Sequence, residues 1–116
     1  MEKILGDIAE LKGVQGCLLI GKDGFLILSL GNFQNNVDFI SACISEVYAS
    51  VDSMTNERFD KGHPIEMMIS SNSLNTFIFD VNEDTILVII SDDKVNRGFI
   101  TMQGREATKE LKSILS

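Results

Sequence analysis

The sequence has no tryptophan, one proline, one histidine and one tyrosine among its 116 residues. Each scarcity closes off an architecture. With one proline and nine glycines there is neither a collagen-like period nor a proline-rich unstructured stretch. Two cysteines, Cys17 and Cys43, make no disulfide framework. A zinc site shared between them needs more ligands, and the only histidine, His63, lies far from both in the sequence. Both thiols are therefore expected to be free. Basic charge is scarce as well, and the formal net charge is −7. Such a surface repels the phosphates of nucleic acid and gains nothing from an anionic bilayer. No apolar run approaches the roughly 20 residues of a membrane-spanning helix. The segment Met1-Glu2-Lys3-Ile4 lacks the basic start and long apolar core of a signal peptide. The expectation is a cytoplasmic protein that neither binds nucleic acid nor inserts into a membrane.

What is present is ordinary globular material, 44% hydrophobic and 23% charged, and it predicts one domain over residues 1–116. Ile4, Leu5, Ile8 and Leu11 recur at helical spacing over residues 3–12, and Gly13 follows as a stop. Residues 14–20 are a continuous apolar strand. Gly21-Lys22-Asp23-Gly24 is a hairpin turn, and the next strand runs from Phe25 to Leu30. Residues 36–57 carry the longest helical pattern, with Val37, Ile40, Ile44, Val47, Val51 and Met54 in one stripe and Asn35 or Asn36 as cap. After a loop ending at Pro64 come strands Ile65–Ser71, Leu74–Asp80 and Thr85–Ser91. Asp92-Asp93 then caps a last helix over residues 95–115, which Gly98 and Gly104 weaken.

The order is helix, two strands, long helix, three strands, helix. Strands 14–20, 25–30 and 85–91 are apolar on both faces, so both faces of the sheet need cover. The fold class is α/β (α+β), a three-layer α/β/α sandwich. At 1.5 Å per residue the middle helix is about 30 Å long. Five strands at about 4.8 Å spacing span roughly 19 Å. That helix is therefore long enough to cross one face, leaving the terminal helices for the other.

Strand 65–71 stands apart. It places Ile65, Met67 and Ile69 on one side and Glu66, Met68 and Ser70 on the other, and it follows a proline, which suits an edge. Exposed edges usually carry a charged defence such as lysine, and this one has only Glu66. Methionine adapts to partner surfaces, so an unguarded margin of this kind points to pairing with a second copy across a two-fold axis. The alternative is that Met67 and Met68 fill gaps in the core beside an ordinary edge. On the long helix, Phe39, Cys43, Glu46 and Ser50 share a face away from the core stripe. Phe39 and Cys43 there mark either a partner-binding face or a helix buried over a wide arc.

Chemical motifs fall away on inspection. Gly16-Cys17-Leu18-Leu19-Ile20-Gly21-Lys22-Asp23 fits G-x-x-x-x-G-K, but its variable positions are strand, whereas a phosphate loop opens a helix. His63 has no neighbouring nucleophile or acid in the sequence and reads as a solvated loop residue. Asp80, Asp84, Asp92 and Asp93 sit at turns and strand ends, where aspartate caps and turns the chain. Nothing selects Arg58, Arg97 or Arg105 as a phosphoryl-transfer finger. The expectation is no catalytic residue, no metal and no cofactor.

Two segments resemble a known family. Val14-Gln15-Gly16-Cys17-Leu18-Leu19-Ile20-Gly21-Lys22-Asp23-Gly24-Phe25 is similar to the opening hairpin of the Roadblock/dynein light chain family, where V-x-G-a-x-(I/V)-x-x-x-D-G follows a first helix. Asn96-Arg97-Gly98-Phe99-Ile100 resembles that family's N-x-G-(L/I/F)-(V/I) lead into the last helix. Length and element order agree with the family over nearly the whole chain. The resemblance implies the Roadblock, profilin-like fold and a homodimer formed through the third strand and second helix. It places Ile65, Met67, Met68 and Ile69 with Phe39 and Cys43 at the seam. It also implies, through the MglB-like branch, regulation of a Ras-like small GTPase by reshaping that protein's switch loops, with Phe39, Cys43, Glu46 and Ser50 as partner-binding residues. Eukaryotic relatives serve as scaffolds and dynein light chains, so a dimeric adaptor is the alternative. A small-molecule sensor is a third class, and it needs a polar-lined pocket between helix and sheet.

Overall fold

A computed structural model describes residues 1–33 and 36–115. The elements are α1 (Glu2–Ala9), β1 (Val14–Gly21), β2 (Leu26–Gly31), α2 (Val37–Asp52), a π-helical turn (Ser53–Arg58), β3 (Glu66–Ser70), β4 (Leu74–Asp80), β5 (Thr85–Asp92) and α3 (Arg97–Leu115). The strands form one antiparallel sheet in the order β2-β1-β5-β4-β3. Alpha and beta segments thus appear in the order the sequence predicts. β3 lies at one margin of the sheet and β2 at the other.

The central strands explain the layering. In β1 every residue from Gly16 to Gly21 is buried, and β5 is buried from Thr85 to Ser91. Alternate side chains leave opposite faces, so each strand feeds two cores. Cys17, Leu19, Leu87 and Ile89 meet Leu5 and Ile8 of α1 and Ile100, Ala107 and Leu111 of α3. Leu18, Ile20, Ile86 and Val88 meet Ile44 and Tyr48 of α2 on the other face. Each fully buried aliphatic side chain contributes about 1.5–3 kcal/mol relative to exposure.

Four local features differ from the sequence expectation. The stripe on α2 is rotated: Ser41, Ile44, Ser45 and Tyr48 are buried, while Val47 and Met54 are 38% and 48% exposed. The two serines satisfy their hydroxyls on the helix's own carbonyls, Ser41 on Val37 at 2.8 Å and Ser45 on Ala42 at 2.9 Å. Their small size lets the β1–β2 turn come close. Gly24, with φ +96°, packs so near Ser45 that an added Cβ would stand 3.1 Å from its hydroxyl oxygen. Drawn in this way, α2 packs on β1 and β2, and Tyr48 reaches across to Asp80 at the end of β4. Second, the cap of α3 is Asn96, whose Oδ1 accepts the Phe99 N–H at 2.9 Å. Asp92 instead ends β5 and accepts from the Lys94 N–H, so the Asp92-Asp93 cap is displaced by four residues. Third, β2 begins at Leu26, one residue later than expected; Leu26 packs toward the α2-side core and Leu28 and Leu30 toward the other, while Phe25 and Ile27 are 75% and 47% exposed. It is a margin strand of the sheet. Fourth, Asn36 occupies the N-cap position of α2 without a side-chain cap bond, and Asn35 lies outside the described residues.

Candidate functional site

The β3 margin follows a loop that ends at Pro64, which is buried and whose carbonyl lies 3.2 Å from the Tyr48 hydroxyl. Ile65 precedes the strand and is 77% exposed. Met68 and Ile69 are exposed, and Met67 is half-buried against the α2-side core. The only charge on the strand is turned back to its own chain. Arg105 of α3 grips Glu66 with two hydrogen bonds, Nε to Oε2 at 3.0 Å and Nη2 to Oε1 at 2.5 Å. That guanidinium holds the Glu66 carboxyl below the usual range, mainly through the hydrogen bonds and against a smaller opposing effect of burial. The clamp pairs the one carboxylate of the margin with a guanidinium of its own chain.

All four predicted residues of the α2 face, Phe39, Cys43, Glu46 and Ser50, are exposed, and they follow one another at helical spacing. The rotation of the helix adds Val47 and Met54, which sequence reasoning assigned to the core. The apolar stripe is therefore longer than expected. Phe39 and Cys43 also line a cleft of about 460 Å³ whose far wall includes Leu74 and Thr76 of β4. Thr76 is paired with Ile69, so the cleft lies between the exposed α2 stripe and the β3 margin. Glu46 and Ser50 are not part of it. Its lining is mostly aliphatic and aromatic, whereas a second cleft of about 570 Å³ is lined by polar groups that include Lys22, Tyr48, Asp52, His63 and Asp80.

Ionisable groups elsewhere hold the fold together. Asp80 meets the Lys22 ammonium at 2.6 Å and the Tyr48 hydroxyl at 3.1 Å. Burial, reinforced by the Asp80 charge, pushes the Tyr48 phenol up. His63 is exposed as expected, but it has an acid partner that the sequence did not reveal, with Nδ1 2.6 Å from Asp52 Oδ1. Burial pushes the Cys17 thiol up to about 12. Cys43 is free and exposed. Arg58 and Arg97 are exposed. Among the described residues no group of three or more His, Cys, Asp and Glu is placed to hold a metal ion. The G-x-x-x-x-G-K segment is β1 running into its turn, with no helix after it. No described helix is long and apolar enough to cross a membrane.

Comparison with known proteins agrees with this geometry. The family model for the Roadblock/LC7 domain matches residues 1–91. Two uncharacterized proteins of Methanocaldococcus jannaschii are similar over nearly their full lengths. MJ1340 is 25% identical over 98% of both chains. MJ0714 is 28% identical over 98% of this chain and 95% of its own. A Roadblock/LC7 domain from Streptomyces avermitilis superposes with a TM-score of 0.90 at 15% identity, covering 99% of this chain and 97% of that one. Myxococcus xanthus MglB superposes with a TM-score of 0.89 at 19% identity, covering 97% and 94%. At such identities the superpositions speak for the fold.

Proposed function

The chain belongs to the Roadblock/LC7 family, and on that premise we propose that residues 1–116 act as a homodimeric regulator of a Ras-like small GTPase, working by binding rather than by chemistry of its own. Two copies join through Ile65, Met67, Met68 and Ile69 of the β3 margin, with Phe39 and Cys43 alongside. The paired α2 helices offer Phe39, Cys43, Glu46 and Ser50 to the GTPase. The observation that carries this reading is the exposed apolar stripe on α2 together with an exposed sheet margin whose one charge is paired within its own chain. Apolar surface of that kind, carried on a helix and on a strand either side of one cleft, marks a contact surface. Regulation then needs only that the surface favour one arrangement of the GTPase's switch loops. A tenfold population shift takes about 1.4 kcal/mol of differential binding, and no tuned acid or base is required.

A second reading is a dimeric adaptor that recruits a partner without altering turnover. A separate exposed apolar pair, Phe25 and Ile27, favours it by offering a docking point on the opposite sheet margin. One experiment separates the two. Adding the protein to the GTPase it binds should change the rate of nucleotide hydrolysis or exchange, and Phe39→Asp should abolish the change. Binding with unaltered rates selects the adaptor.

A further inference from the structure

Hydrogen bonds at the two ends of the β3–β4 ladder fix the direction in which each residue of β3 points. The Asp80 N–H donates to the Ile65 carbonyl at 2.9 Å, and the Ser71 N–H donates to the Leu74 carbonyl at 2.8 Å. Both pairs continue the register of Met67 with Ile78 and Ile69 with Thr76. In an antiparallel ladder, opposed residues alternate between pairs that exchange hydrogen bonds and pairs that do not. Ile65, Met67, Ile69 and Ser71 therefore direct their main-chain groups at β4. Glu66, Met68 and Ser70 turn theirs outward, and no other described element bonds to them. Side chains alternate in step: Met67 packs into the α2-side core, whereas Glu66 is held by Arg105 of α3.

Resting on the homodimer reading above, we propose that the β3 margin receives a second copy of this chain in one register, with the two-fold axis passing through Met68. Antiparallel pairing sets outward-pointing residues against each other. With the axis at Met68, that residue opposes its counterpart, and Glu66 opposes Ser70 of the second copy. Every outward N–H and C=O then finds a partner. An axis at Met67 leaves Ser70 unpaired on both strands, and an axis at Ile69 leaves Glu66 unpaired. An axis at Glu66 sets two carboxylates against each other, which destabilises a sheet.

The side chains favour the same choice. On the α2 face Met67 comes opposite Ile69, apolar against apolar, at the closer spacing of a pair that exchanges no hydrogen bonds. That contact extends the floor of the cleft walled by Phe39 and Cys43. On the α3 face the carboxylate already clamped by Arg105 meets a hydroxyl instead of an acid. The segment Glu66-Met67-Met68-Ile69-Ser70 is thus complementary to itself about its centre, which makes an identical strand its fitting occupant.

Amide hydrogen exchange on the unmodified protein reads the register directly. As concentration rises through the monomer–dimer range, the Glu66, Met68 and Ser70 amides should all slow together. Protection of Glu66 and Met68 without Ser70, or of Met68 and Ser70 without Glu66, overturns the register while keeping the dimer. Disulfide trapping in a Cys43→Ser background gives a second measure. Met68→Cys should trap a covalent dimer, since opposed Cα atoms about 5.5 Å apart suit a disulfide. Glu66→Cys alone should not, because four residues of offset separate the two copies by about 13 Å. Trapping by Glu66→Cys, or its absence from Met68→Cys in a protein that sediments as a dimer, overturns the register alone. A protein that sediments as a monomer at every concentration overturns the dimer and the register together.

Discussion

The Tyr48 hydroxyl lies 3.1 Å from Asp80 Oδ1, joining the last full turns of α2 to the end of β4 across 32 residues of sequence. The same carboxylate holds Lys22 at 2.6 Å, and the Lys22 ammonium stands 4.9 Å from the centre of the Tyr48 ring. One aspartate therefore fastens the β1–β2 turn, the sheet and α2 at a single point. This fixes the angle at which α2 presents its exposed stripe. Tyr48→Phe keeps the ring and removes the hydroxyl. The expected cost is about 1–2 kcal/mol of stability, read as a lower denaturant midpoint with unchanged helix content. A midpoint equal to the parent's would show the latch to be idle.

Thiol chemistry distinguishes the two cores from the candidate surface. Cys17 is fully buried, donates its S–H to the Leu5 carbonyl at 3.1 Å, and has its pKa pushed up to about 12. Cys43 is exposed on α2. A thiolate-selective reagent at mildly alkaline pH should therefore label Cys43 in the native protein and reach Cys17 only after unfolding. The Cys43 rate should also fall in part as protein concentration rises, because the proposed seam runs alongside it. Mass spectrometry of the labelled peptides checks both points.

Gly104 reverses an expectation drawn from helix propensity. The sequence marks it as a weak point of α3, and alanine there should gain about 1 kcal/mol on propensity alone. In the fold the Phe79 ring, itself buried, lies where that methyl group would go. Overpacking of this kind costs about 1–3 kcal/mol. Gly104→Ala should thus lower the melting temperature. A smaller residue at Phe79 in the same chain should return part of the loss, since sites in contact are coupled. A stabilised single variant would show that the ring moves aside freely.

These positions show what the sequence made legible. The Gly21–Gly24 turn could be read from composition because Gly24 adopts a positive φ that other residues resist. The β3 margin could be read from Pro64 and from the missing lysine. The phase of α2 could not. Hydropathy ranked Val47 and Met54 above Ser41, Ser45 and Tyr48, yet the serines bond to their own helix and the tyrosine finds Asp80. The tyrosine's burial depends on a partner 32 residues away that a linear pattern does not contain. The same holds for Glu66 and Arg105, 39 residues apart, and for His63 and Asp52, 11 apart. Where a helix meets a sheet through hydrogen bonds, its buried arc is set by geometry more than by hydropathy.

The Glu66–Arg105 clamp predicts a pH dependence of definite sign. Hydrogen bonds from the guanidinium hold the Glu66 carboxyl below its ordinary value in the folded protein. A carboxylate whose folded pKa is depressed adds stability that is fully present above its unfolded value of about 4.3 and disappears as pH falls through the folded pKa. Arg105 stays protonated throughout, so only the carboxylate switches. Glu66→Gln should therefore melt below the parent at neutral pH, and the two should converge in acid once Glu66 is protonated in both states. The Glu66 side chain is 31% exposed and that of Arg105 59%, so the gap at neutral pH should be small and should shrink with added salt. Melting temperatures of both proteins across the acid limb, at low and high salt, provide the check. A gap that persists unchanged in acid would assign the loss to packing at the β3–α3 contact, and the charge would then have no part in keeping the margin clear for a partner strand.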